Sequence, residues 1–277
     1  MRREVEFFKC NPTQNMTILV KTSHPKELHP LIAAKMMAYD SVYAEQVGFI
    51  EQAASNEAVA TLSMAGGEFC GNACMALAAL VASTQTIDEQ GLTDIVLNAS
   101  GTKELIKCHV RKKADQYDCQ VTMPLPQKIE QKTIEYDGEQ REIVIVRYHE
   151  FIHIVMELHE YNESMKKKAE SFARLLAIAG GAKVIGILFY QASTKEMYPL
   201  IYVPQIDSMI WERGCGSGTA SIGAYLAWKA KDEVQAKVKQ PGGVMEVWAT
   251  ADNDKITGLS IKGSVGIVAE GKAFIDL

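Results

Sequence analysis

Two stretches of this 277-residue chain share an order that leaves few folds open: a Cys-Gly turn, then a helix-length run of small and apolar residues. The first is Gly66-Gly67-Glu68-Phe69-Cys70-Gly71-Asn72, followed by Ala73–Ala82. The second is Glu212-Arg213-Gly214-Cys215-Gly216-Ser217-Gly218, followed by Thr219–Lys229. A helix that is apolar almost all round has no face for water and has to be buried. The two cysteines are 145 positions apart (215 − 70), about half the chain. In each half, strands and one amphipathic helix precede the turn. Two copies of one unit are the simplest organisation.

The remaining pattern fits this frame. Residues 5–8 and Met16–Val20 read as strands, with Asn11-Pro12-Thr13 as the turn between them. Residues 26–39 read as a helix with Pro30 in an early turn. Strands follow at 58–63 and near 94–98, 105–111 and 117–123. The polar stretch 124–140 is the expected boundary between units. In the second half, strands near 143–156 lead to a helix over 163–178, stopped by Gly180-Gly181. Further strands are expected near 184–190, 199–203, 245–249, 256–261 and 264–275.

Hydrophobic residues are 47% and charged residues 23%, enough for cores that need neither disulfides nor a structural metal. A net charge of -5 and a pI of about 5.8 leave no footprint for nucleic acid or an anionic membrane. No apolar run reaches the roughly 18 residues that cross a bilayer, and the first residues lack a signal-peptide pattern. A cytoplasmic location is expected, with all six cysteines as free thiols. No CxxC or HExxH spacing is present, so no metal site is expected. Neither GxGxxG nor GxxxxGK[ST] occurs, so nucleotide binding is a poor fit.

The chemistry lies in the turns. Each places a thiol just before a helix N-terminus, where free N–H groups and the helix dipole favour negative charge. The thiol pKa should fall from its ordinary value of about 8.5. The same N–H groups can hold a carboxylate, and glycine after each cysteine lets a substrate approach the backbone. Two such sites face to face would put one sulfur on each side of an α-carbon. A thiolate takes the α-proton while a thiol delivers one to the other face. The N–H groups stabilise the charge that builds on the carboxylate. No lysine motif for pyridoxal phosphate is evident, so no cofactor is expected. The chain therefore reads as a cofactor-independent amino-acid racemase with Cys70 and Cys215 as its bases.

The plain alternative for a cysteine is a small buried apolar residue, and Cys74, Cys108 and Cys119 are read that way, while Cys10, near a turn where it could border a pocket, is given no role. His149 and His153 alternate with apolar residues and are read as structural. A non-catalytic protein binding a soft metal through the thiols is a further alternative.

The turns Cys70-Gly71-Asn72 and Cys215-Gly216-Ser217-Gly218 resemble those of the diaminopimelate epimerase superfamily, which includes proline racemases. The resemblance implies an α/β (α+β) fold of two pseudo-symmetric domains, each a barrel-like sheet around a central helix. The first would comprise 1–125 plus the last strands, 263–277, and the second 126–262. Along nearly its whole length the chain is similar to the histidine racemase family of staphylopine-type metallophore biosynthesis. That similarity shows in NMTILV (15–20), EQVGFIE (45–51), FCGNA (69–73), PLIYVP (199–204), CGSGTASIG (215–223), QPGG (240–243) and GKAFI (271–275).

By that resemblance Asn15 and Gln46 match pocket residues. Gly71, Asn72, Gly216 and Ser217 would hold the α-carboxylate, Glu212 the α-ammonium group, and Glu45 the imidazole. Glu212-Arg213 is separated from Cys215 by Gly214 only, which argues against diaminopimelate as substrate. Diaminopimelate or another amino acid on the same fold stays the alternative. The expected partner is a small amino-acid substrate, with a homodimer left open.

Overall fold

The computed structural model describes residues 2–85, 91–136, 138–180 and 182–277. They form two compact units, Met1–Thr122 with Lys262–Leu277, and Met123–Ile261. None of the described helices is long and apolar enough to cross a membrane.

The first unit contains β1 (Arg2–Pro12), β2 (Thr17–Val20), α1 (His29–Met37), β3 (Gln46–Glu51), β4 (Ala60–Met64), α2 (Gly71–Thr84), β5 (Leu92–Ala99), β6 (Ile106–Lys113) and β7 (Gln116–Thr122). Strands lie side by side in chain order from β1 to β7, and β7 neighbours β16 (Lys255–Asp276). β16 also pairs antiparallel with β1, from Arg2↔Asp276 to Pro12↔Val265, so the path of strands returns to its start. β2 with β3 and β4 with β5 are parallel pairs. Alternation sorts the faces. In β6, Ile106, Cys108 and Val110 are buried while Lys107, His109 and Arg111 are exposed. α1 packs Ile32, Ala33 and Met36 against Ile18, Val20, Val47 and Phe49. α2 is buried along most of its length and packs against strands β1, β2 and β4–β7.

The second unit contains β8 (Lys128–Tyr136), β9 (Glu139–Arg147), β10 (Phe151–Glu157), α3 (Ser164–Gly180), β11 (Val184–Gln191), β12 (Glu196–Val203), β13 (Ser208–Trp211), α4 (Gly216–Ala230), β14 (Val234–Gln240) and β15 (Gly243–Asp252). Its strand order is β15-β14-β12-β11-β10-β9-β8, with β13 on β12. The parallel pairs are β10 with β11 and β12 with β14. β10 and β11 use alternate residues for the two helices. Ile154, Met156, Ile185 and Ile187 join Ala169 and Ala173 of α3 in one core. His153 points the other way, to α4, where its Nδ1 meets Ser221 Oγ at 2.8 Å. Tyr148 Oη meets the same hydroxyl at 2.9 Å. Full burial pushes the His153 pKa down to about 3, so the ring is neutral.

The structure departs from the sequence reading in several places. The stretch 124–140, expected as a polar boundary, carries strand β8, which pairs along its length with β9. Asn11 and Pro12, expected in a turn, end strand β1. β3, β13 and β14 are additional strands. The two strands expected at 256–261 and 264–275 are one continuous strand, β16. The Gly180-Gly181 stop cannot be placed in full, because Gly181 lies outside the described residues.

Gly186 lies against the His153 ring, and a Cβ there would come 2.4 Å from His153 Cδ2. Both residues sit on adjacent, fully paired strands, so neither backbone yields easily. Gly186→Ala is expected to lower stability by about 1–3 kcal/mol, as overpacking does. An unchanged urea midpoint would contradict this packing.

Candidate active site

The first cysteine turn is braced from β5. Ser100 N donates to Leu62 O (2.8 Å), and Ser100 Oγ accepts from Met64 N (2.9 Å) and donates to Glu68 O (2.7 Å). Gly101 has φ +73, and a Cβ there would lie 2.2 Å from Phe69 N. Glycine takes that conformation without strain, and only glycine permits that approach. The braced turn presents Cys70 in an extended conformation (φ -134, ψ 109) as the N-cap of α2, and its Sγ accepts from Ala73 N. A buried apolar helix has first-turn N–H groups to satisfy, and the sulfur takes one.

The same sulfur enters a chain of side-chain amides. Cys70 Sγ donates to Gln46 Oε1 (3.0 Å). Gln46 Nε2 donates to Asn15 Oδ1 (2.5 Å) and Thr17 Oγ1 (2.8 Å). Asn15 is fully buried, and its Nδ2 has no hydrogen-bond partner among the described residues. An unsatisfied buried donor costs about 1–3 kcal/mol, a cost that an acceptor on a ligand would relieve. Gly71 and Asn72 are buried in the first turn of α2. Glu45 precedes Gln46 and is half-buried, its N–H donating to Met16 O (2.8 Å).

The second turn follows β13. Cys215 is again an extended N-cap (φ -108, ψ 110), and its Sγ accepts from Gly218 N (3.2 Å). Ser217 Oγ lies 3.6 Å from the sulfur. A Cβ on Gly218 would come 3.0 Å from that sulfur and 3.1 Å from Leu188 and Met197. Glycine is therefore what lets this N–H reach it. The half-buried carboxylate of Glu212 accepts a hydrogen bond from the thiol. Gly216 is buried in the first turn, and Arg213 is exposed.

The electrostatics of Cys215 reverse the expectation for a thiol at a helix start. Its pKa is raised well above the ordinary value, first by burial and then by the charge and hydrogen bond of Glu212. Ser217 and the Gly218 N–H pull it down but do not prevail. Cys215 is 1% exposed, and the raised pKa keeps it a thiol at neutral pH. Burial also raises Cys10, Cys74, Cys108 and Cys119, which fits the reading of the last three as core residues.

Within the first unit the structure joins Asn15, Gln46 and Cys70 through hydrogen bonds, with Glu45, Gly71 and Asn72 adjacent in the chain to members of that group. In the second unit it brings Glu212, Cys215, Gly216 and Ser217 together. Four contributors went unseen in the sequence: Ser100 and Gly101 behind the first turn, and Thr219 and Gln240 behind the second. Gln240 Oε1 accepts from Cys215 N (2.6 Å), and its Nε2 donates to Thr219 Oγ1 (2.9 Å). Among the described residues no three His, Cys, Asp or Glu side chains form a group suited to a metal.

The mixed α/β fold matches solved structures of a probable proline racemase and a hydroxyproline epimerase. A probable proline racemase from Agrobacterium radiobacter superposes with a TM-score of 0.73 at 11% identity, over 96% of this chain and 92% of that one. A hydroxyproline epimerase from Agrobacterium vitis gives 0.69 at 13% identity, over 100% and 95%. The sequence profile described as "Histidine racemase CntK N-terminal domain" matches residues 4–274, and the chain belongs to that family. A histidine racemase from Staphylococcus aureus is 33% identical over 99% of both chains. One from Fusobacterium nucleatum is 31% identical over 98% of this chain and 97% of its own.

Glu212→Gln removes the carboxylate charge beside Cys215 and should lower the thiol pKa. In a Cys70→Ser background, thiolate absorbance assigned to Cys215 is expected to develop at lower pH than with Glu212 intact. No movement of that titration, or movement to higher pH, would show that Glu212 does not set it.

Proposed function

We propose that this chain interconverts L- and D-histidine without a cofactor, using Cys70 and Cys215 as the two acid–base groups on opposite faces of the α-carbon. One observation carries the reading: in each unit, the N-cap of the buried helix is a cysteine whose sulfur already accepts a first-turn N–H. Membership of the histidine racemase family and its full-length relatives supports histidine as the substrate.

The residues take the following roles. The α-carboxylate is held by N–H groups in the turns of Gly71-Asn72 and Gly216-Ser217, where helix starts favour an anion. Glu212 receives the α-ammonium group, and Glu45 receives the imidazole. Once Cys70 has given up to solvent the proton it directs at Gln46 Oε1, its thiolate takes the α-proton, and the C–H electron pair passes into the carboxylate. The N–H donors stabilise the charge that accumulates there. Cys215, held protonated by burial and by Glu212, gives its proton to the opposite face. The product is the other enantiomer, with Cys70 as thiol and Cys215 as thiolate. The reverse reaction exchanges the roles.

The same reading takes the two units as pseudo-symmetric domains, 1–125 with 263–277 and 126–262, each a barrel-like sheet around α2 or α4. The returning strand path of the first unit supports it. A cytoplasmic setting and a role in supplying D-histidine for a staphylopine-type metallophore rest on the resemblance along the whole chain.

Incubation with L-histidine in deuterium oxide, with no cofactor added, is expected to exchange the α-proton and abolish the circular-dichroism signal of the substrate. Cys70→Ser and Cys215→Ser should each lower the rate by about 10²–10⁴-fold, the contribution of one positioned acid or base. Full activity in either variant would refute the two-base mechanism. In a panel of L-amino acids and diaminopimelate, a preference for diaminopimelate would overturn the substrate.

A further inference from the structure

We infer that Gln240, acting with Thr219, is a positioning residue that locks the backbone of Cys215 in a closed hydrogen-bonded ring. The ring can be traced atom by atom. Cys215 N–H donates to Gln240 Oε1 (2.6 Å). Gln240 Nε2 donates to Thr219 Oγ1 (2.9 Å). Thr219 Oγ1 donates to Cys215 O (2.7 Å), the carbonyl that also accepts from Thr219 N (3.0 Å). Both backbone polar groups of one residue are thus tied to a single side-chain amide, directly on one side and through one hydroxyl on the other. The donor count closes: the threonine hydroxyl gives its one hydrogen to the carbonyl and accepts the amide hydrogen.

The ring is dry. Thr219 is fully buried, Gln240 is 9% exposed and Cys215 is 1% exposed. Water cannot replace a lost partner there without rearrangement. Gln240 is itself anchored as the last residue of β14, paired with Gly243 of β15. Just beyond it, Gly242 N donates to Arg213 O (2.6 Å), holding the same turn two residues before the cysteine.

Two consequences bear on the reaction. The Cys215 N–H is engaged by Gln240, so carboxylate binding at this turn falls to later N–H groups. With both peptide groups fixed, the sulfur can move only by rotation about its own side-chain bond, and Gly218 N and Glu212 restrict that rotation. Cys70 is held differently, through its sulfur by Gln46. This inference rests on Cys215 being one of the two acid–base groups.

The test compares Gln240→Met, Thr219→Val and Thr219→Ser in the full chain, with Cys215→Ser as reference and folding checked by circular dichroism. Gln240→Met and Thr219→Val keep side-chain volume and break the ring. They are expected to lower kcat for histidine about tenfold to a hundredfold, as a misplaced catalytic group does, with little change in KM. Thr219→Ser retains the hydroxyl and is expected to restore most of that rate. Should Gln240→Met fail to fold, Gln240→Glu is scored in its place, since it keeps the acceptor for Cys215 N and removes the donor to Thr219. Parental kcat in folded ring-breaking variants, or equal damage from Thr219→Ser and Thr219→Val, would overturn the inference. Parental activity in Cys215→Ser would instead overturn the two-base reading itself.

Discussion

A helix with no polar face can be kept only in the interior, and there its first N–H groups must find acceptors inside the protein. In both units the acceptor is a cysteine sulfur, with Cys70 capping α2 through Ala73 N and Cys215 capping α4 through Gly218 N. The atom that completes the secondary structure is the atom proposed to carry the acid–base chemistry. A group with that double duty is placed as firmly as the helix itself. The glycines follow from it: Gly218 has no room for a Cβ beside the sulfur, and Gly101 has none beside the turn that leads to Cys70.

The two caps are secured by unlike means. Cys70 is part of a relay of amides from β2 and β3, so its sulfur is held from the side by Gln46, which is held in turn by Asn15 and Thr17. Cys215 is gripped by its backbone, and its sulfur is left to burial, Gly218 and Glu212. Burial, and then the half-buried carboxylate of Glu212, raise the pKa of the second thiol. For the proposed pair of acid–base groups, unequal surroundings would help, because one has to begin as donor while the other accepts.

Much of this was legible in the residues. The two buried helices followed from small apolar composition alone, and the alternation in β6 places its core face. β8 was hidden because its Lys, Glu, Gln and Thr side chains are largely exposed, so a paired strand has the composition of a linker. β14 offers only Ala236 and Val238 to the core among its apolar side chains that are buried. The cysteine turns could be found because their chemistry is local. Ser100, Gly101 and Gln240 could not, since each acts on a turn 25 or 32 residues away in the chain. The direction of the Cys215 pKa was misread for a related reason. The helix start is visible in the sequence, whereas the depth of burial and the aim of Glu212 are not.

β16 carries a consequence for how the molecule is made. Its part from Lys262 onward follows the whole of the second unit in the chain, yet it lies alongside β1 and belongs to the first unit. A ribosome therefore delivers 122 residues of the first unit, and then all 139 of the second, before the strand that covers the exposed edge of β1 emerges. Through that interval β1 offers unpaired backbone groups to any passing chain. Several of its neighbours across that edge are charged: Glu4, Glu6 and Lys9 stand on β1, and Lys272 closes on Glu4 when the strand arrives. Charged side chains on an open edge discourage association with the wrong partner. The nascent protein thus carries its own guard for the time it spends waiting.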